Sequence, residues 1–148
     1  MNEILGKEVS NKEYSVSTDE TKFDFDLIHQ WITNSYWANG RTKEAMNKVM
    51  KNSLNFGLFH NEKQIGFARV VTDYHIFAYL CDVIVDDDYR GKGLGKILMN
   101  EVMNFEELKT MKRWLLFTKD AHGLYAQFGF TKDDMPERTM IKKNPEVK

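Results

Sequence analysis

Between residues 55 and 85 the chain carries three apolar, β-branched-rich runs, "NFGLF", "QIGFARVV" and "IFAYLCDVIV", separated only by the short polar links "HNEK" and "TDYH". Links this short join antiparallel neighbours, so the three runs predict a meander. A sheet of that kind must bury its apolar faces against other elements. The flanking sequence has to supply the cover.

It does so on both sides. "DFDLIHQWITNSYWANG" places Leu27, Ile28, Trp31 and Ile32 on one helical face, with Asp24 or Asp26 as its N-cap and Asn39-Gly40 as the turn that ends it. "TKEAMNKVMKNSL" predicts a second helix capped by Thr42, with Ala45, Met46, Val49 and Met50 buried. Ahead of them "EYSVSTDE" alternates around Tyr14 and Val16 as a strand. After the meander, Leu94, Ile97, Leu98, Val102 and Phe105 repeat at helical spacing, predicting a helix over 93–108. "RWLLFT" reads as a buried strand, "AHGLYAQF" as a short helix and "RTMIKK" as a closing strand. The order β-α-α-β-β-β-α-β-α-β predicts an α+β fold, a mixed sheet with helices on its faces.

Length and composition narrow the class. A chain of 148 residues is one domain over 1–148, with residues 1–12 a polar, aperiodic tail or edge segment. Basic and acidic residues number 21 and 22, a net charge of −1, which leaves no footprint for nucleic acid. The single cysteine, Cys81, excludes an internal disulfide framework and suits a reducing compartment. No apolar run approaches the roughly 20 residues that cross a membrane, and "MNEILGKEVSNKEY" lacks the pattern of a signal peptide. The expectation is a cytoplasmic protein without membrane association, monomeric or homodimeric.

"DVIVDDDYRGKGLGKILM" then poses the functional question, because Gly91, Gly93 and Gly95 fall within five positions. A dinucleotide fingerprint fails, since its third glycine position falls on Lys96. A P-loop fails too: Arg90 stands where the first glycine should, and Ile97 follows Lys96. Two readings remain. The segment is a glycine-rich turn that binds nothing, or it opens a helix whose amides face an anion. Asp86, Asp87 and Asp88 sit on a turn and point different ways, which suits solvation better than a metal site.

"YRGKGLGKILM" after "DVIV" resembles the acetyl-CoA-binding motif of the GCN5-related N-acetyltransferases, [QR]-x-x-G-x-[GA], with Arg90, Gly93 and Gly95 at its fixed positions. "GLYAQFGF" resembles the family's second signature, a tyrosine four residues before Gly-Phe. The resemblance covers the chain from about residue 55 onward. It implies a mostly antiparallel central sheet with a splayed parallel strand pair and helices on both faces. It also implies acetyl-CoA as co-substrate, no metal, and acetyl transfer to a primary amine of a small molecule or peptide. A non-catalytic acyl-CoA-binding module of the same fold is the alternative.

Residue by residue, the resemblance implies that Val83, Ile84 and Val85 pair with the pantetheine arm. The amides of Gly91, Lys92, Gly93, Leu94, Gly95 and Lys96 would hold the pyrophosphate. The side chains of Lys92 and Lys96 either contact phosphate or are solvated helix-end charges. Tyr125 would protonate the departing thiolate, or hold it by a hydrogen bond. Thr118 replaces an asparagine common in the family and can make only part of its cofactor contact. Asp120 is expected as a helix N-cap, and His122 as an exposed helix residue. The position of a glutamate base in some relatives is Cys81, read as a buried structural cysteine. Its neighbour Asp82 would point to the opposite face unless a bulge intervenes. Tyr79 shares the face of Cys81, and both, with Tyr36, Trp37 and Arg41, are expected on the acceptor side, where Trp37 either walls the pocket or packs the helix pair.

Overall fold

The computed structural model describes residues 8–11 and 13–147, the first four as backbone only. Six strands form one sheet: β1 (Glu8–Asn11), β2 (Tyr14–Ser17), β3 (Leu54–His60), β4 (Lys63–Thr72), β5 (Phe77–Val85) and β6 (Arg113–Leu115). They lie in chain order, antiparallel from β1 to β5 and parallel between β5 and β6. Helices α1 (Phe25–Thr33) and α2 (Lys43–Lys51) follow β2, α3 (Leu94–Met103) crosses from β5 to β6, and α4 (His122–Ala126) follows β6. Of the expected N-terminal tail or edge, residues 8–11 form the edge strand β1; the rest of that segment lies outside the described residues.

Each face of the sheet carries its own apolar cluster. Phe56, Leu58, Ile65, Val70 and Leu80 pack with Leu94, Leu98, Met99 and Val102 of α3 on one face. Phe67 packs with Ile28 and Ile32 of α1 and Met46 and Met50 of α2 on the other. The helices start where their caps dictate: Asp24 Oδ1 accepts from Leu27 N–H, and Thr42 Oγ1 from Ala45 N–H. Asp24 is therefore the cap of α1, and Asp26 lies inside its first turn.

"RWLLFT" forms only the short strand Arg113–Leu115, with Leu115 and Phe117 exposed rather than buried, and three further expectations about the elements differ from the structure. Helix α1 stops at Thr33, short of "SYWANG", because the Asn34 and Ser35 amides turn back onto Gln30 and Ile32. Helix α3 stops at Met103, not 108. Phe105 and Leu108 are still buried, Phe105 edge-on to Phe56 at 5.2 Å, but a turn closed by the Leu108 and Lys109 amides on the Phe105 carbonyl carries them there. The apolar spacing therefore outlasted the helix. The third difference is "RTMIKK", which pairs with no strand among the described residues.

Gly66 marks how closely β4 approaches its neighbours. A Cβ there would stand 2.9 Å from the Ile84 carbonyl oxygen and 3.0 Å from Leu58 Cδ2. The Ile84 backbone is pinned in the β4–β5 ladder and cannot yield. Gly66→Ala is expected to destabilise the fold by about 1–3 kcal/mol in urea unfolding; an unchanged midpoint would contradict this packing.

Candidate active site

The sheet opens along β5. Pairing with β6 is confined to Phe77–Tyr79 against Arg113–Leu115, so Val83, Ile84 and Val85 have no strand beside them on that side among the described residues. On the other side, β5 takes up one extra residue. Phe67 faces Ile84 and Arg69 faces Cys81, leaving Asp82 and Val83 opposite Ala68 alone. Asp82 absorbs this bulge with φ of +54°, a left-handed conformation that Asp tolerates better than most residues. The face parity of β5 changes there: Ala78 and Leu80 point into the α3-side cluster before the bulge, Val83 and Val85 after it.

Bulge and side chains together build an ionic cluster. Asp82 turns toward the α1–α2 side, where its Oδ2 accepts from Arg69 Nε at 2.8 Å and from an Arg41 guanidinium nitrogen at 2.8 Å. Its Oδ1 accepts from Trp37 Nε1 at 2.9 Å. The carboxylate is 1% exposed. Burial opposes its ionisation, but the Arg69 and Arg41 guanidiniums and the Trp37 N–H outweigh that and hold its carboxyl below the usual range. The sequence reading placed Trp37 and Arg41 near this wall, but missed Arg69. A lone arginine inside an apolar strand was the available signal, since a buried guanidinium needs a carboxylate partner.

Around the opening lie the other expected residues. Tyr79 packs edge-on to Phe117 at 6.0 Å, and burial pushes its phenol up. The Cys81 thiol faces the Arg69 and Tyr79 carbonyls at 3.5 and 3.9 Å, and burial pushes it up to about 11, so it remains a thiol at neutral pH. That fits a structural cysteine better than a nucleophile. Tyr125, on α4, is 9% exposed and edge-on to Phe130 at 6.0 Å. Burial above all, with Tyr36 and Asp120 nearby, pushes its phenol up to about 12. Tyr36 is exposed, lies edge-on to Trp37 at 5.1 Å, and carries Lys119 Nζ 5.4 Å over its ring. Tyr36 thus joins the α1–α2 connection to the loop before α4. Thr118 Oγ1 accepts from Ala121 N–H at 3.0 Å, so Thr118 rather than Asp120 closes the turn into α4. His122 is exposed, as expected.

The glycine turn stands at the far end of β5. Gly91 and Gly93 have φ of +80° and +75°, and a Cβ on either would project into open space. Gly93 is the N-cap of α3 and supplies no side chain to the first-turn amides of Leu94, Gly95 and Lys96. Both glycines are thus needed for the backbone path, and neither puts a side chain into the space beside it. At Gly95 a Cβ would make an ordinary contact with Leu124 Cδ2 at 3.6 Å, so the packing of α3 on α4 does not demand glycine there. Arg90 Nε is 3.0 Å from Asp87 Oδ1, and Lys92 Nζ lies 5.2 Å over the Tyr89 ring, so these two cations rest on the turn. Lys96 is exposed. In the acidic run, Asp86 Oδ1 accepts from Asp88 N–H and Asp87 pairs with Arg90, so these carboxylates shape the turn. Among the described residues no group of three or more His, Cys, Asp or Glu side chains is arranged to hold a metal, and no helix is long and apolar enough to cross a membrane.

Comparison with known proteins follows the same outline. The family model described as "Acetyltransferase (GNAT) family" matches residues 16–130. A solved Xanthomonas campestris protein assigned to the GNAT family is 39% identical and superposes with a TM-score of 0.87, covering 92% of this chain and 96% of its own. An uncharacterized N-acetyltransferase of Pyropia yezoensis is 32% identical over 72% of this chain, which spans 64% of that relative's length. A Gibberella zeae protein assigned as an acetyltransferase is 24% identical over 78% of this chain and 77% of its own.

The Asp82 cluster carries a pH signature. Asp82 has a folded-state pKa below its unfolded value, so its contribution to stability is complete above about pH 4 and is lost as pH falls through the folded value. Asp82→Asn strands two buried guanidiniums and is expected to cost about 3–5 kcal/mol at neutral pH. In urea melts the gap between variant and wild type should narrow below pH 4. A gap that stays constant across that range would show that the carboxylate's charge is not what holds the cluster.

Proposed function

The chain belongs to the GNAT family of acetyltransferases, and from that membership we propose that it is an acetyl-CoA-dependent N-acetyltransferase acting on a primary amine of a small molecule or peptide. The observation that carries the reading is that β5 runs on past its pairing with β6 and leads, through the turn Asp86–Arg90, to the start of α3. The side of Val83–Val85 that has no strand beside it among the described residues leads to a turn whose two positive-φ glycines carry no side chain at an uncapped helix start. A pantetheine amide needs the first, and a pyrophosphate needs the second. The residues present therefore fit coenzyme A. Because backbone supplies these contacts, Arg90 and Lys92 can remain engaged with Asp87 and Tyr89.

Acetyl-CoA supplies an activated acyl group from which an amine can displace a thiolate. This chain's part in that exchange falls to Tyr125. Its hydroxyl has no hydrogen-bond partner among the described residues, and its proton is retained to about pH 12. A phenol in that state does not compete as a base at neutral pH; being a weaker acid than a thiol, it holds the negative charge that develops on sulfur by a hydrogen bond, and the thiolate takes its proton from solvent. Tyr36, Trp37 and Tyr79 supply aromatic walls for the amine, and the Asp82 cluster holds the Trp37 wall in place. Asp82 is committed to two guanidiniums and is not the base that accepts the amine's proton. That commitment is what favours a second reading, a non-catalytic acyl-CoA-binding module.

Thiol release measured across a panel of amines separates the two readings, since only the enzyme turns over. Tyr125→Phe is expected to lower turnover about 10²-fold while acetyl-CoA still raises the melting temperature of the variant as it does that of wild type. Unchanged turnover would refute the role of the hydroxyl. Equal stabilisation of the wild type by acetyl-CoA, ATP and NAD would refute the cofactor.

A further inference from the structure

The Asp82 cluster does not balance its charge. The guanidiniums of Arg41 and Arg69 converge at 2.8 Å on one carboxylate oxygen, and the other oxygen accepts from the uncharged Trp37 Nε1–H. One negative charge thus faces two positive ones, with the Arg41, Arg69 and Asp82 side chains 14%, 10% and 1% exposed. A surplus charge drawn out of water is costly unless a counter-ion meets it. Cys81 and Tyr79 both feel the two guanidiniums, but burial keeps one a thiol and the other a phenol. Glu20 bonds to Asn55, the residue opposite Arg69, and to neither guanidinium. On the loop before α4, Lys119 over the Tyr36 ring and Asp120 beside Tyr125 offset each other. The surplus remains.

It is visible in the donors as well. Arg69 commits Nε to Asp82 and Nη1 to Ser53 Oγ at 2.9 Å. Arg41 commits only Nη1, to Asp82 and to Met46 Sδ. Its Nε and Nη2 have no partner among the described residues, and both reach solvent. Those are the two nitrogens whose N–H bonds run side by side along one edge of a guanidinium, the fork that fits a carboxylate or phosphate. The backbone behind it is tied down. Arg41 N–H closes a turn on the Ala38 carbonyl, and the Arg41 carbonyl accepts from Thr33 Oγ1 at 3.2 Å and lies 2.8 Å from His29 Nε2. Arg41 and Trp37 share the Asp82 carboxylate, and Tyr36 packs on Trp37, so the fork lies with the aromatic side chains proposed to wall the acceptor.

On the acetyltransferase reading given above, we propose that the acceptor is an amine that also carries an oxyanion, a carboxylate or a phosphate, and that the free Nε–Nη2 edge of Arg41 holds it. Docked there, the oxyanion cancels the surplus charge of the cluster. An amine with no anionic group brings only positive charge to that edge, and is disfavoured as an acceptor.

Paired amines test this on the full chain: amino acids against their amides, and amino phosphates against the matching amino alcohols, so that each arm reports one oxyanion. Thiol release from acetyl-CoA should favour the anionic members of one arm by about 10–100-fold in kcat/KM. Arg41→Lys keeps the charge and loses the fork, and should remove most of that preference, in KM rather than kcat. Melting temperatures with coenzyme A bound, taken with and without each amine, add a readout that needs no turnover and shows that the variant is folded. Equal turnover of paired members, or an anion preference that Arg41→Lys leaves intact, would overturn the proposal and leave the acetyltransferase reading standing. If no amine releases thiol, that reading fails instead. The anion site is then upheld if the anionic members stabilise wild type and not the variant, and overturned if they stabilise both or neither.

Discussion

At Asp82 the backbone of β5 takes a left-handed conformation and absorbs one residue more than β4 can face. Three consequences follow from that residue. The bulge turns the Asp82 carboxylate onto Arg69, Arg41 and Trp37, which ties the α1–α2 connection to the centre of the sheet. It resets the alternation so that Val83 and Val85 pack toward α3. It also lies in the part of β5 beyond Tyr79, which no longer pairs with β6. Without it, strand alternation would bury Asp82 in the apolar cluster under α3, with no partner.

What the structure offers a ligand is mostly backbone. In the sheet that means the β6-facing side of β5 beyond Tyr79, and in the helix the uncapped first turn of α3. Polar groups of this kind are normally satisfied within the fold or by water. At the start of α3 the preceding turn adds no side chains at residues 91 and 93, which are glycine. The proposed acceptor side has the opposite character. It consists of side chains, chiefly Tyr36, Trp37 and Tyr79, of which Trp37 is bonded to the charge cluster, Tyr36 packs on Trp37 and Tyr79 packs on Phe117. A cofactor cradle made of backbone tolerates much sequence change, while an acceptor wall made of side chains does not.

The same division decides what was legible in the sequence. The meander, both cap residues and the glycine turn followed from local rules, since strand length, capping chemistry and positive φ are each set by a few adjacent residues. The bulge was visible only as a condition. Period-two alternation cannot show where a strand takes an extra residue, though Arg69 in an apolar run and Asp82 on the next strand held the clue. The end of α3 was misjudged because Phe105 and Leu108 are buried by a turn that mimics helical spacing. The closing strand was read from the pattern of "RTMIKK", but those residues pair with no strand among the described residues.

The central claim is that an open line of backbone from β5 to α3 holds coenzyme A. Hydrogen–deuterium exchange with and without acetyl-CoA tests it at the amides concerned. The account predicts slowed exchange over Val83–Val85 and residues 91–96, with little change in β1–β3. Slowing confined to other segments, or none at saturating acetyl-CoA, would contradict it.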